Sequence, residues 1–406
     1  MSTYAVVGKG VPRVDGKAQV TGRAIYCGDL FMNGMLHGKI LRSPHSHARI
    51  RGIDTSRARK LSGVRAIVTG ADTLGAKYGP MVSDEPALAV DKVRYVGDEV
   101  AAVAADTIEI AEQALELIDV DYEILPAVFD PFKAMAEDAP QIHDHVKNNI
   151  AFGKLFQWGR PVEDLTDACD VILEDNFTTH SQIHAYLEPN CALATWGPGD
   201  HVTLWASTQG PYYLKQDLVK TLGIPEHKLR IIKPALGGGF GGKRDLVEPG
   251  FCAILLSKMT GRPVRLAYTR EEEFTVTRHR HAMNLRLKVG AKKDGALIFF
   301  DCTNITDNGA FNSRGPVIVM AAGQSLASIY RLQGVRYDVK LVYTNTAAGG
   351  AFRGFGNLQI RFGLESMLDM IAEKRGMDPV ELRLKNAIQT GYNTLDKKQI
   401  ISCGLS

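Results

Sequence analysis

The chain has 406 residues, 45% of them apolar and 23% charged, with a net charge of +3. That length exceeds one ordinary core and suits two or three domains, and the composition is globular. So small a net charge argues against nucleic acid or an anionic membrane as a partner, and no apolar run reaches the length of a membrane span.

The N-terminus, Met1 to Ala5, lacks the basic-then-apolar pattern of an export signal, which sets the expectation of a cytoplasmic protein. Cys27, Cys169, Cys191, Cys252, Cys302 and Cys403 are scattered with no CxxC pair, so they read as buried, reduced thiols. They supply neither a zinc ribbon nor an iron–sulfur ligand run.

In chain order, Ala101 to Ala104 reads as a short strand, and Ile108 to Ile118 has helical apolar spacing. Val120 to Leu125 then alternates like a strand and stops at Pro126. A helix followed at once by a strand indicates a mixed α/β (α+β) fold. Residues 129–149 hold Pro131, Pro140, several acids and weak periodicity, which places a boundary near 135 and gives domains 1–135 and 136–406. Strand patterns resume at 170–173, 202–205, 229–233 and 264–268, and residues 248–258 could form a helix. Glu271, Glu272 and Glu273 read as a solvated or turn-edge charge run. Ile360, Leu364, Met367, Leu368 and Ile371 share one helical face that Gly376 ends. Asp378-Pro379-Val380-Glu381 then has the cap, first-turn proline and acid of a helix start.

Residues 237–244 are Gly-Gly-Gly-Phe-Gly-Gly-Lys-Arg, following an apolar strand. Gly237, Gly242 and Lys243 fit a P-loop, but Arg244 stands where a hydroxyl should hold magnesium. Gly237, Gly239 and Gly242 also meet GxGxxG, a pattern that glycine runs match by chance. A third reading is main chain that approaches some other ligand closely, with Phe240 as the only bulk. A plain surface turn is the fourth.

A second loop, Ala351-Phe-Arg-Gly-Phe-Gly356, and Ser207-Thr-Gln209 decide among these. Together with residues 237–243 they resemble the large subunit of the xanthine dehydrogenase and aldehyde oxidase family of molybdenum hydroxylases. Residues 41–49, 92–98, 187–189 and 378–383 are similar to the same family in the same order, so the resemblance runs along nearly the whole chain. It implies an N-terminal α/β hammerhead domain followed by the first half of a molybdopterin-binding domain. It also implies a metal held by a pterin dithiolene rather than by protein side chains, with the pterin as a cytosine dinucleotide. By motif position Gln209, Gly239, Phe240, Gly241 and Arg353 contact the cofactor, while Phe355 and Arg244 meet the substrate.

Two departures narrow the substrate. Xanthine-type members carry Glu where this chain has Arg244, and an Arg where Ala321 stands, so purine is disfavoured; Arg244 reads either as the partner of an anion such as a carboxylate or as a solvated surface arginine. Carbon monoxide dehydrogenases place a Cys in the second loop, and none occurs between Ala351 and Gly356.

The resemblance puts the general-base glutamate on a second pterin-binding half that no residue here matches, so no catalytic residue is assigned. The chain stops at Ile401-Ser-Cys-Gly-Leu-Ser406 without a closing helix, which sets the expectation of a split enzyme like nicotinate dehydrogenase, with a fragment of a longer chain as the alternative. The expected partners are a second molybdopterin-domain subunit, a [2Fe–2S] subunit and an FAD subunit, in a dimer of heteromers. The expected reaction inserts water-derived oxygen at an electrophilic carbon of an N-heteroaromatic, nicotinate-like substrate. Alternatives are an aldehyde oxidoreductase or a hydroxybenzoyl-CoA reductase-like subunit and, in another class, a non-catalytic assembly module.

Overall fold

The computed structural model describes residues 4–73, 75–244 and 247–404. The extreme ends, residues 1–3 and 405–406, on which the export-signal and split-enzyme expectations partly rest, lie outside them.

A seven-stranded sheet runs Leu229–Ile232, Val202–Ala206, Cys191–Trp196, Val264–Ala267, Leu36–Arg42, Glu99–Ala105 and Val64–Thr69. Three of its strands precede residue 135 and four follow it. They join where Leu36 pairs in parallel with Val264. Glu99–Ala105 is buried along its whole length because neighbours cover both faces, which explains its unbroken small apolar run. Helix Glu248–Thr260 packs against this sheet and is apolar nearly all round, as a helix enclosed on several sides should be. The core here includes Leu36, Ala102, Leu204, Phe251 and Leu266, residues from both parts of the chain.

A second, five-stranded sheet runs Val171–Thr179, Met283–Ala291, Leu297–Gly309, Gly334–Tyr343 and Ile150–Gly159. Helices Gly315–Leu326 and Asn357–Arg375 cover it, burying Ile318, Ile360, Leu364 and Met367. Gly376 closes the long helix at φ 62°, and Asp378 caps the next by accepting from Val380 N at 2.8 Å and Glu381 N at 3.1 Å.

Within the stretch 129–149, Asn149 is fully buried and bonds Ala134 O, Pro140 O and Ile142 N, while His143 bonds Ala310 O at 2.7 Å. Two expectations need correction. The acids 271–273 are not a solvated run but stand in the first turn of helix Arg270–Thr275, at a turn edge. Glu272 forms a capping box with Thr269 and bonds Arg42 Nε at 2.8 Å, Glu273 is buried against Asn190, and only Glu271 is exposed. All six cysteines are free, but Cys169 and Cys403 are only half-buried.

A buried ionic belt ties the N-terminal part to the rest. Arg278 bonds Glu85 at 2.6 Å and Arg42 bonds Glu272 at 2.8 Å across the two parts, and Glu248 and Glu99 complete the same two clusters. Among the described residues no helix is long and apolar enough to cross a membrane.

Candidate cofactor and substrate site

Strand Leu229–Ile232 delivers the chain to the first glycine-rich loop. One carboxylate oxygen fastens both ends of that loop: Glu188 Oε2 accepts from Gly237 N at 2.8 Å and from Lys243 Nζ at 2.7 Å. The Lys243 side chain is 0% exposed and lies 4.7 Å from the centre of the Tyr186 ring. Burial pushes its pKa down, and the Glu188 carboxylate opposes that shift. The Lys243 carbonyl accepts from Gln209 N at 2.8 Å and Thr208 Oγ1 at 3.2 Å, which locks the Ser207–Gln209 turn beside the loop.

Gln209 Oε1 accepts from Gly241 N at 2.8 Å. Because the oxygen is committed to that N–H, the amide NH2 is the end left for a ligand. Gly239 lies beneath this side chain; a Cβ there would stand 2.5 Å from Gln209 Oε1. Gly241 has φ 107°, and a Cβ on it would run into the carbonyl of Ala351. Phe240 is held at φ 47° and is half exposed, so its ring projects from the loop.

The second loop is joined to the first by Arg353 N, which donates to Phe240 O at 2.8 Å. His184 Nε2 lies 2.9 Å from Ala351 O. The Phe352 ring stacks on His184 at 4.2 Å, and the Arg280 guanidinium lies 3.9 Å from the same ring centre. Two groups this close to one ring must lie on opposite faces, so Phe352 is sandwiched. Arg280 also donates to Arg353 O at 2.9 Å and to Gln359 Oε1 at 3.2 Å. Burial holds the imidazoles beneath the loops neutral: His184 is lowered, His279 is pushed to about 3 and His281 to about 4.

Between the loops is a cavity of about 560 Å³. The structure brings Gln209, Phe240, Gly241, Arg244, Arg353 and Phe355 to its wall, with Gly239 packed just beneath. A second cavity of about 830 Å³ opens on the far side of Phe240, against Tyr186, Leu187, Glu188 and Gly237. Tyr213, also on the first cavity's wall, and the supporting residues Glu188, His184 and Arg280 carry no local sequence signal for these roles. Leu187-Glu-Pro189 was visible only as a family segment.

Among the described residues no three His, Cys, Asp or Glu side chains converge as a metal-ligand set. The described wall between the loops carries an amide NH2, two guanidiniums and close-packed backbone, but no carboxylate. That donor set fits a molybdopterin cofactor, whose phosphate and metal-borne oxygens are acceptors.

Residues 142–387 match the family described as molybdopterin cofactor-binding domain. Residues 21–126 match the aldehyde oxidase and xanthine dehydrogenase a/b hammerhead domain. The chain is 40% identical to one of the probable xanthine dehydrogenase subunits of Bacillus subtilis, over 92% of this chain and 50% of that one. It is 38% identical to the nicotinate dehydrogenase large molybdopterin subunit of Eubacterium barkeri, over 96% of this chain and 91% of that one. The aldehyde oxidoreductase structure from Desulfovibrio gigas superposes with a TM-score of 0.91 at 32% identity, over 96% of this chain and 44% of that one. The chain thus spans about half the length of several relatives and nearly all of the nicotinate dehydrogenase subunit. Hammerhead and pterin-domain matches follow one another along a chain whose two loops enclose a donor-rich cavity, and the chain belongs to the xanthine dehydrogenase and aldehyde oxidase family, as a molybdopterin-binding part.

Proposed function

We infer that this chain is the molybdopterin-binding subunit of a multi-subunit hydroxylase. Its reaction inserts water-derived oxygen at an electrophilic carbon of an N-heteroaromatic, nicotinate-like substrate. The observation that carries this reading is the cavity between the loops, where cofactor-type donors and flat aromatic faces share one space. The 38% identity to a nicotinate dehydrogenase subunit of similar length supports it.

The molybdenum cofactor, in its cytosine dinucleotide form, supplies the redox chemistry when bound. This chain's residues bind and orient. The Gln209 NH2 and the Arg353 guanidinium donate to the cofactor. Gly239 and Gly241 let the main chain at Phe240 come close. Phe355 offers its face to the substrate ring and Arg244 meets the polar end. The general-base glutamate comes from a second molybdopterin-domain subunit, and subunits carrying [2Fe–2S] and FAD take the electrons onward. The assembly is a cytoplasmic dimer of heteromers, and the division at residue 135 separates the hammerhead-like part from the pterin-binding part.

Purifying the assembly through a tag on this chain tests the reading. Molybdenum, releasable cytidine monophosphate and turnover of a pyridine carboxylate are the expected results. Preferential turnover of an aldehyde or an aryl-CoA would replace the substrate assignment, and a complex devoid of molybdenum would favour a non-catalytic assembly role.

A further inference from the structure

Behind the first glycine-rich loop two thiols meet. Cys27, in the short turn Cys27–Asp29, packs on strand Cys191–Trp196, and its thiol and the Cys191 thiol are hydrogen-bonded to each other. Cys27 Sγ also lies 3.5 Å from Trp205 O. Among the groups that act on Cys169, Cys252 and Cys302 there is no second thiol.

The pair is buried but not sealed. Cys191 is on the wall of the cavity of about 830 Å³, and so are Tyr26 and Gly28, the chain neighbours of Cys27. A small oxidant in that cavity meets the Cys191 sulfur first, with the fully buried Cys27 in contact behind it. The Cys191 contact and burial push the pKa of the Cys27 thiol up, so the attack falls to Cys191.

Each thiol belongs to an element that holds the loop. Tyr26 pairs in parallel with Ala235, and Ala235 N donates to Ile25 O at 3.1 Å, so the Cys27 segment lies along the chain just before Gly237. Cys191 N donates to Ser207 Oγ at 2.9 Å, and Cys191 O accepts from Ser207 N at 3.0 Å, at the head of the Ser207–Gln209 turn. A bond between the two sulfurs therefore joins the approach to the loop with the turn that presents Gln209.

We propose that Cys27 and Cys191 are a redox-responsive dithiol, which hydrogen peroxide converts to a disulfide that staples the N-terminal segment to the central sheet and stiffens the first loop. The Cys191 sulfur attacks one peroxide oxygen, the O–O bond breaks, and a sulfenic acid forms as the thiol proton leaves in a first water. The Cys27 sulfur then attacks the Cys191 sulfur; the S–S bond forms, the S–O bond breaks, and the Cys27 proton leaves in a second water. Two thiols thus give two electrons and two protons to one peroxide, and a dithiol reductant reverses the change. The modification belongs to this chain whatever its substrate.

Peptide mapping tests it. The purified complex is treated with a slight excess of hydrogen peroxide, alkylated and digested without reductant. A peptide pair linked through Cys27 and Cys191 is expected, and dithiothreitol added before alkylation should abolish it. Cys27→Ser should leave Cys191 as a sulfenic acid that dimedone labels, and Cys191→Ser should leave Cys27 an intact thiol. Amide exchange over residues 25–28 and 235–241 should slow by at least about 10-fold in the oxidised parent. Oxidation of the half-buried Cys169 and Cys403 with no linked pair would overturn the proposal, as would a linked pair that forms only in denaturant. A linked pair that leaves exchange unchanged would overturn the staple. These three outcomes are read on the parent, so none depends on a variant folding.

Discussion

The two loops that face each other across the cavity are held by different chemistry. The first is fastened by charge, with Glu188 bonding Gly237 and the buried Lys243. The second is fastened by stacked rings and a cation, with Phe352 between His184 and Arg280. A buried ion pair fails abruptly, because either partner alone is an uncompensated charge. A stack loses its contacts a few at a time, because dispersion is spread over many atoms. The first loop should therefore be brittle and the second forgiving.

Glu188→Ala is the severest way to break this contrast. It strands the Lys243 ammonium away from water and frees Gly237 N, so unfolding stability should fall by about 3–5 kcal/mol. Glu188→Leu combined with Lys243→Met removes both charges and should recover more than half of that loss, read by chemical denaturation. If the double variant is as damaged as the single one, the clasp works through the Gly237 bond and not through charge.

Arg280→Met comes next. The side-chain stem remains, but the cation over Phe352 and the bonds to Arg353 O and Gln359 are lost. A desolvated cation–π contact is worth about 2 kcal/mol, so a total near 2–3 kcal/mol is expected. Amide exchange across residues 352–356 should quicken by at least about 10-fold while residues 237–243 stay protected. Equal quickening in both loops would show them to be one cooperative unit.

The clasp and the stack were not legible in the sequence, although much else was. Residues 108–118, 202–205 and 229–233 announced themselves through local periodicity, and Asp378 through the cap it makes with its own neighbours. The first loop stood out as five glycines around one Phe, and both loops gained a meaning only through their resemblance to the family. Glu188 and Lys243, by contrast, are 55 residues apart, and His184 and Ala351 are 167 apart. No local pattern encodes such meetings. Glu273 was misread for the same reason: a run of three acids looks solvated until Asn190, from a distant segment, closes over one of them.

A pH titration sharpens the comparison on the second loop's side. His281 packs under Gly349, where a Cβ would lie 2.5 Å from its ring, and burial pushes its pKa to about 4. The unfolded chain takes up a proton near pH 6.5 and the folded chain does not. This imidazole therefore contributes stability that is complete above about pH 6.5 and is lost as the pH falls toward 4. Other buried groups titrate too, Asp98 among them, pushed up to about 8 by burial with the opposite slope. The difference between the parent and His281→Phe isolates the one group. That difference should shift in the variant's favour by at most about 1.4 kcal/mol per pH unit between 6.5 and 4. A flat difference across this window would mean that His281 keeps its ordinary pKa.

The smallest expected effects come from the two aromatics held in the left-handed region, Phe240 at φ 47° and Phe355 at φ 51°. A non-glycine residue there costs roughly 1–2 kcal/mol, and glycine removes that cost while raising the entropy lost on folding by about 0.5–1 kcal/mol. Phe240 is half exposed, so Phe240→Gly gives up little burial and should leave stability within about 1 kcal/mol of the parent. Phe355 packs on the second core, so Phe355→Gly should be the more destabilising of the pair. Both variants should weaken binding of pyridine-3-carboxylate, because each deletes a face of the cavity. Weakened binding at unchanged stability for Phe240 would mean that its strained backbone is kept for the ligand and not for the fold. Unchanged binding with higher stability would instead place the ligand wholly on the Phe355 side, and the brittle loop would then serve the cofactor alone.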